Sequence, residues 1–114
     1  MKKTRLSKNQ ADALFTLAFL EVKEFKDAVP VAKMRELIAQ SRPGILDASN
    51  FRKGLHALED KGLIDLLRAR NLSLAAKLTQ KGREQAAKIY EQRTGTEMAL
   101  PPEDEKQIAI FDNH

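Results

Sequence analysis

The sequence predicts one mainly α-helical domain that contains a small β-hairpin, an α+β fold. Four segments carry apolar residues at spacings of three and four, the pattern of amphipathic helices. Between the third and fourth segments, two short stretches rich in Leu and Ala flank the polar residues 68–71, "RARN". This pattern is typical of two antiparallel strands joined by a tight turn. The length of 114 residues suits a single domain.

The first helix is predicted over about residues 8–26. Ser7 is a favourable N-cap, and Gln10 three residues later completes a capping box. One face is apolar and comprises Ala11, Leu14, Ala18, Val22 and Phe25. Further apolar residues widen this face, so we expect the helix to contact more than one neighbour, in this chain or in a second copy. We also expect four phenylalanines at helical spacings to lie in the core: Phe15, Phe19, Phe25 and Phe51.

Two further helices follow, separated by a short turn. Pro30 favours the start of a second helix over about residues 31–40. Residues 41–47, "SRPGILD", have the composition of a turn, and Asp47 can cap a third helix over about residues 48–61. The buried face of that helix is predicted to comprise Phe51, Leu55 and Leu58.

The hairpin and a fourth helix complete the predicted fold. Gly62 fits the left-handed residue that ends a helix. The stretches "LIDLL" and "LSLAAKL" are predicted to pair as antiparallel strands with a turn near Arg70 and Asn71. Thr79 can cap a fourth helix over about residues 80–93. Its inner side is predicted to comprise Ala86, Ile89 and Tyr90.

Charge divides the chain into three parts: a basic arm over residues 1–7, a domain over 8–95 and an acidic, flexible tail over 96–114. Residues 97–114 hold one base and five acids, so residues 1–96 hold 19 of the 20 bases and 11 of the 16 acids, a net charge of +8. A basic domain suits a polyanionic partner. Many small proteins are basic without such a partner, so charge alone is weak support.

Several function classes lack the residues they need. The chain has no Cys, and His56 and His114 have no metal-ligand spacing around them. Neither a nucleophile beside a base nor a phosphate-binding glycine fingerprint is recognisable. We therefore expect no enzymatic activity, no cofactor and no metal. No apolar run approaches the ~18 residues of a membrane span, so we expect a cytoplasmic, nucleoid-associated protein with no membrane partner.

The outer face of the third helix is the strongest functional signal. Five of its polar residues have no acid among them: Ser49, Asn50, Arg52, Lys53 and His56. Arg and Lys suit guanine acceptors and Asn suits adenine, while Ser49 and the first backbone N–H groups suit a phosphate. A solvated helix face is the simpler explanation. The turn before the helix, the hairpin after it and the arm residues Lys2, Lys3, Arg5 and Lys8 favour DNA instead.

The segments "FRKGLHALEDKGLI" and "AAKLTQKGREQAAKIYE" resemble winged helix-turn-helix proteins, most closely the MarR-like and PadR-like bacterial transcriptional regulators. The shared features are Leu-Glu-x-Lys-Gly-Leu-Ile after the recognition helix and Leu-Thr-x-x-Gly-Arg after the wing, and the resemblance covers about residues 8–93. The chain departs from the MarR-like pattern in its short wing and in the single helix that follows the wing.

The resemblance implies a homodimer that binds double-stranded DNA in a sequence-specific way and regulates transcription. The third helix would read the major groove, and the wing would contact the backbone or the minor groove. The candidate DNA-binding residues are Ser49, Asn50, Arg52, Lys53, His56, Arg42, Arg68, Arg70 and Asn71.

Two alternatives remain open from the sequence. Winged helices also serve as protein-interaction adaptors, and the tail segment "QIAIF" (residues 107–111) could bind a protein partner. An accessory factor of plasmid or phage replication or transfer would use the same DNA-binding chemistry.

Overall fold

The computed structural model describes residues 6–25, 27–41, 44, 46–68 and 70–98. The helices in these ranges are α1 (Lys8–Val22), α2 (Val31–Ser41), α3 (Ala48–Asp60) and α4 (Gln80–Thr94), and the strands are β1 (Val29–Pro30), β2 (Ile64–Arg68) and β3 (Leu74–Leu78). The predicted fold class, mainly α with a β-hairpin and a helix after it, is confirmed. In the described part of the chain, no helix has the length and apolar character needed to cross a bilayer.

α1 begins as predicted but ends earlier. The Ser7 hydroxyl accepts a hydrogen bond from the Gln10 N–H, and the Ser7 N–H donates to the Gln10 side chain, so the capping box is confirmed. The predicted end near residue 26 is wrong, because Glu24 adopts a left-handed backbone with φ of 74°. The Phe25 N–H then donates to the Leu20 carbonyl at 2.9 Å, which closes the helix in a Schellman-type turn.

The predicted hairpin is confirmed and belongs to a slightly larger sheet. β2 and β3 are antiparallel, with Ile64 opposite Leu78 and Arg68 opposite Leu74. β1 pairs with the other edge of β3, giving the order β1-β3-β2 in the described residues. The sequence did not reveal β1, because its second residue is Pro30, and proline is tolerated in a strand only at an edge or end.

The core lies where α1, α2 and α3 meet the sheet, and α4 packs along α1. Leu14, Met34, Phe51 and Leu58 are at most 1% exposed. Met98 is 6% exposed and joins the same cluster. Core packing therefore reaches three residues past position 95, where we placed the end of the domain.

The phenylalanines do not all enter the core, and the prediction is wrong for two of them. Phe51 is buried and Phe15 packs against the core, where its ring stacks on Tyr90 with centroids 5.9 Å apart. Phe19 and Phe25 are 39% and 42% exposed. α4 covers the part of α1 around Phe15. The far end of α1 keeps a partly exposed apolar surface, although Lys23 Nζ lies 5.4 Å from the centre of the Phe19 ring.

Candidate nucleic-acid interface

The two faces of α3 differ as predicted. Phe51, Leu55 and Leu58 are buried and attach the helix to the core. Five residues on the other side are exposed: Ser49, Asn50, Arg52, Lys53 and His56. We call these five residues the reading face. Among the described residues, no carboxylate lies within ion-pair distance of Arg52 or Lys53. Their positive charges are therefore directed to solvent.

The amino end of α3 carries a carboxylate. The Asp47 side chain accepts a hydrogen bond of 2.8 Å from the Asn50 N–H, which confirms Asp47 as the N-cap. The expectation that the first backbone N–H groups are available to a phosphate is wrong for Asn50, because Asp47 occupies that donor. A phosphate at this end would meet the Ser49 hydroxyl or a basic side chain rather than the Asn50 N–H.

A second carboxylate borders the reading face at its other end. Glu59 lies one turn after His56, with 3.7 Å between His56 Nδ1 and Glu59 Oε1. The sequence analysis overlooked Glu59, although i,i+3 spacing makes Glu59 a neighbour of His56 on the helix surface. The part of the face without a carboxylate is thus limited to its first two turns.

Hydrogen bonds join the end of α3 to the start of α4 and so fix the wing relative to α3. Gly62 has φ of 77°, and the following Leu63 N–H donates to the Leu58 carbonyl, so Gly62 ends the helix as predicted. The Thr79 hydroxyl donates to the Gly62 carbonyl at 2.7 Å, and the Thr79 N–H donates to the Leu63 carbonyl at 3.1 Å. The first strand of the hairpin, β2, therefore begins at the same junction at which the second strand, β3, ends.

The same junction is attached to α1. Arg83, in the first turn of α4, donates two hydrogen bonds to the Glu21 carboxylate, at 2.7 and 3.0 Å. The hydrogen bond to Glu21 raises the pKa of the Arg83 guanidinium, although burial acts against this. The motif Leu-Thr-x-x-Gly-Arg therefore has a structural explanation: Thr79 binds the end of α3, and Arg83 binds α1.

Two of the predicted wing contacts form bonds within the wing loop. Arg68 Nη1 donates to the Leu72 carbonyl at 2.8 Å. The Asn71 side-chain oxygen accepts hydrogen bonds from the Ser73 N–H at 3.1 Å and from the Ser73 hydroxyl at 2.6 Å. Arg70 is exposed at the turn. Arg68 and Asn71 thus stabilise the conformation of the loop, independently of any bound partner.

The structure identifies one wing residue that the sequence analysis missed. Leu72 is 71% exposed and has a left-handed backbone with φ of 68°. We had placed Leu72 in the second strand as the first residue of "LSLAAKL", a stretch in which Leu74, Ala76 and Leu78 alternate. The strand begins only at Leu74, so Leu72 belongs to the loop.

A recess of about 340 Å³ lies apart from the reading face, between α1 and α2. Arg93 of α4 borders it, pairs with Asp12 at 2.9 Å and lies 5.1 Å above the ring centre of Phe15. Sequence alone did not show this recess, because its residues come from three helices that are distant in the chain.

Other predicted elements lie outside the described residues: Arg42, the arm residues Lys2, Lys3 and Arg5, and the tail from residue 99 onwards. In the ranges that are described, no three His, Asp or Glu side chains come together as a potential metal site.

The fold is similar to that of three solved mutant forms of ZitR from Lactococcus lactis. The first has a TM-score of 0.58 and 23% sequence identity, with 99% of this chain and 75% of that chain covered. The second has a TM-score of 0.54 and 19% identity, and this chain spans 62% of its length. The third has a TM-score of 0.55 and 18% sequence identity, and this chain spans 61% of its length. At these identities the similarity shows a shared fold.

No protein-family model matches the sequence, and no curated protein matches it.

Proposed function

We propose that the protein binds double-stranded DNA in a sequence-specific way and regulates transcription as a homodimer. The exposed basic charge of Arg52 and Lys53 on α3, with which no carboxylate of the described ranges pairs, is the observation that carries this proposal. A short helix precedes α3 and an antiparallel hairpin follows it, the order found in winged helix-turn-helix proteins. The regulatory role rests on the resemblance to MarR-like and PadR-like proteins.

The proposed docking places α3 in the major groove. The reading face offers the side chains that discriminate bases there: Arg52 or Lys53 for guanine and Asn50 for adenine. Ser49, close to the amino end of the helix, is positioned for a phosphate. The carboxylates of Asp47 and Glu59 border the face and would disfavour any docking that brings them against the backbone. They therefore limit the orientations that the helix can take.

The proposed dimer uses the partly exposed apolar surface at the end of α1. Phe19, Val22 and Phe25 are each about 40% exposed, and we call them the α1 apolar patch. Phe19 and Val22 are three residues apart and share a helix face. Tyr90 of α4 packs inside the chain against Phe15 and is not part of this patch. Burial of the patch in a twofold dimer would present two α3 helices to grooves about one helical turn apart.

A salt titration of duplex binding tests the proposal. The target comes from selection in a random duplex pool, and affinity is measured by fluorescence anisotropy between about 50 and 200 mM salt. The Arg52→Ala, Lys53→Ala double variant should lose about 2–6 kcal/mol of specific binding, the value of two base contacts. Lys88→Glu, on exposed α4, changes the net charge equally and should retain the preference for the target. Unchanged specificity in the double variant would refute the assignment of α3.

The second candidate is a protein-interaction adaptor, favoured by the α1 apolar patch. The same titration separates the two functions. An adaptor without DNA binding predicts no duplex binding even at the lowest salt, where the electrostatic attraction is strongest. A log-affinity against log-salt plot with a steep negative slope would exclude it as the sole function.

A further inference from the structure

Leu72 combines two unfavourable features at the tip of the wing. Its side chain is 71% exposed, the largest exposed fraction among the exposed large apolar residues of the described chain. Its φ of 68° is a conformation that glycine and asparagine adopt easily and that leucine disfavours. A single exposed leucine is ordinary on a protein surface. A leucine that is both exposed and strained does not stabilise the fold, and glycine would adopt the same conformation without strain.

The loop holds Leu72 in this conformation. The Arg68 side chain binds the Leu72 carbonyl on one side, and Asn71 binds Ser73 on the other. The residue is thus fixed from both sides, with its side chain directed away from the core. A backbone outlier that its surroundings maintain is a reason to look for a function.

The charge around Leu72 indicates the kind of partner. Arg68, the last residue of β2, and Arg70, in the turn that follows, are both exposed. No described carboxylate pairs with either of them. An apolar tip surrounded by arginines suits a polyanion that has an apolar interior. Duplex DNA has this character, because stacked bases lie between two rows of phosphates.

We propose that Leu72 inserts as a wedge between two stacked base pairs in the minor groove beneath the wing and bends the duplex. This inference rests on the proposed function and adds a mechanical step to it. Minor-groove proteins insert apolar side chains in this way and kink DNA toward the major groove. Pyrimidine–purine steps unstack most easily, so the wedge would favour such a step outside the reach of α3.

Two fluorescence measurements on the selected duplex test the wedge. End-attached donor and acceptor dyes report bending, and 2-aminopurine at the step beneath the wing brightens when it unstacks. The wild-type protein should produce both signals. Leu72→Gly should remove both and weaken binding roughly tenfold, while it folds normally because glycine tolerates this φ. Leu72→Met keeps an apolar side chain and should restore both signals.

Leu67→Ala is the matched control, because Leu67 is another exposed wing leucine, 47% exposed, but lies on β2 rather than at the tip. It should leave both signals unchanged. Equal bending and unstacking by wild type and Leu72→Gly would overturn the wedge and leave DNA binding by α3 intact. A change of oligomeric state in Leu72→Gly, seen by sedimentation, would also overturn it and indicate a protein contact. Absence of duplex binding by the wild type would overturn the proposed function together with the wedge.

Discussion

Gly82 lies so close to the backbone carbonyl of Leu63 that no side chain fits between them. A Cβ built at position 82 would collide with the Leu63 oxygen, which is backbone and cannot turn aside. Leu63 follows the end of α3 and precedes the wing, whereas Gly82 is in the first turn of α4. The absence of one Cβ therefore allows the reading face, the wing and α4 to share a junction.

Gly82→Ala should destabilise the fold severely. The added methyl group forces α4 away from the junction, and overpacking at a backbone obstacle costs about 3 kcal/mol or more. The measurement is urea denaturation followed by circular dichroism. A variant as stable as the wild type would show that α4 does not approach Leu63 as described.

Gly54→Ala should have the opposite effect. Gly54 is in the middle of α3, and a Cβ there would meet Gln10 Cγ at 3.5 Å, an ordinary contact. Alanine lowers the backbone entropy lost on helix formation, so the free energy of unfolding should rise by about 0.5–1 kcal/mol. Urea denaturation measures the gain, and duplex affinity should not fall, since position 54 is off the reading face. A loss of stability would contradict the packing of α3 on α1.

The Glu21–Arg83 pair should contribute measurably to stability. Its side chains are only 19% and 17% exposed, and the geometry is bidentate. A double-mutant cycle with Glu21→Gln and Arg83→Met should give a coupling energy of about 1–3 kcal/mol.

The exposed pair Lys33–Glu36 is the control for this cycle. Its side chains are 56% and 62% exposed, with 3.7 Å between the charged atoms. The same cycle there, with Lys33→Met and Glu36→Gln, should give no more than about 0.5 kcal/mol. Equal coupling at the two sites would show that the Glu21–Arg83 pair does not fix α4 to α1.

The α1 apolar patch should control self-association. Phe19→Ala combined with Val22→Ala removes apolar area from the proposed interface, so the dimer dissociation constant should rise roughly tenfold or more. Sedimentation velocity at several concentrations measures the change. Leu67→Ala removes exposed apolar surface from the wing instead and should leave the dimer unaffected. A monomeric wild-type protein would contradict the proposed interface.

Local signals in the sequence predicted most of the elements correctly. Ser7, Asp47 and Thr79 each cap the helix that was assigned to them, because an N-cap acts on N–H groups two or three residues away. Gly62 and Gly95 both have positive φ at helix ends, a conformation that glycine adopts without strain because it lacks a Cβ. The end of α1 at Glu24 was not predicted in this way, since a non-glycine residue with positive φ has no recognisable local signature.

The candidate site was predictable in composition and only partly in geometry. The reading face followed from helical periodicity, because the burial of Phe51, Leu55 and Leu58 determines which residues face away. Its charge balance did not follow as easily: the Asp47 carboxylate already binds an N–H group, and Glu59 lies beside His56.

The sequence by itself determined the order of the elements, their caps and the two faces of α3, because these depend on interactions within a few residues. Tertiary structure alone decided how far α4 covers α1, and thus why Phe19 and Phe25 stay exposed while Phe15 does not. It also decided that Arg68 supports the loop and that Leu72 stands at its tip. These features depend on distances between separate elements, and the pattern of residues within one element does not predict such distances.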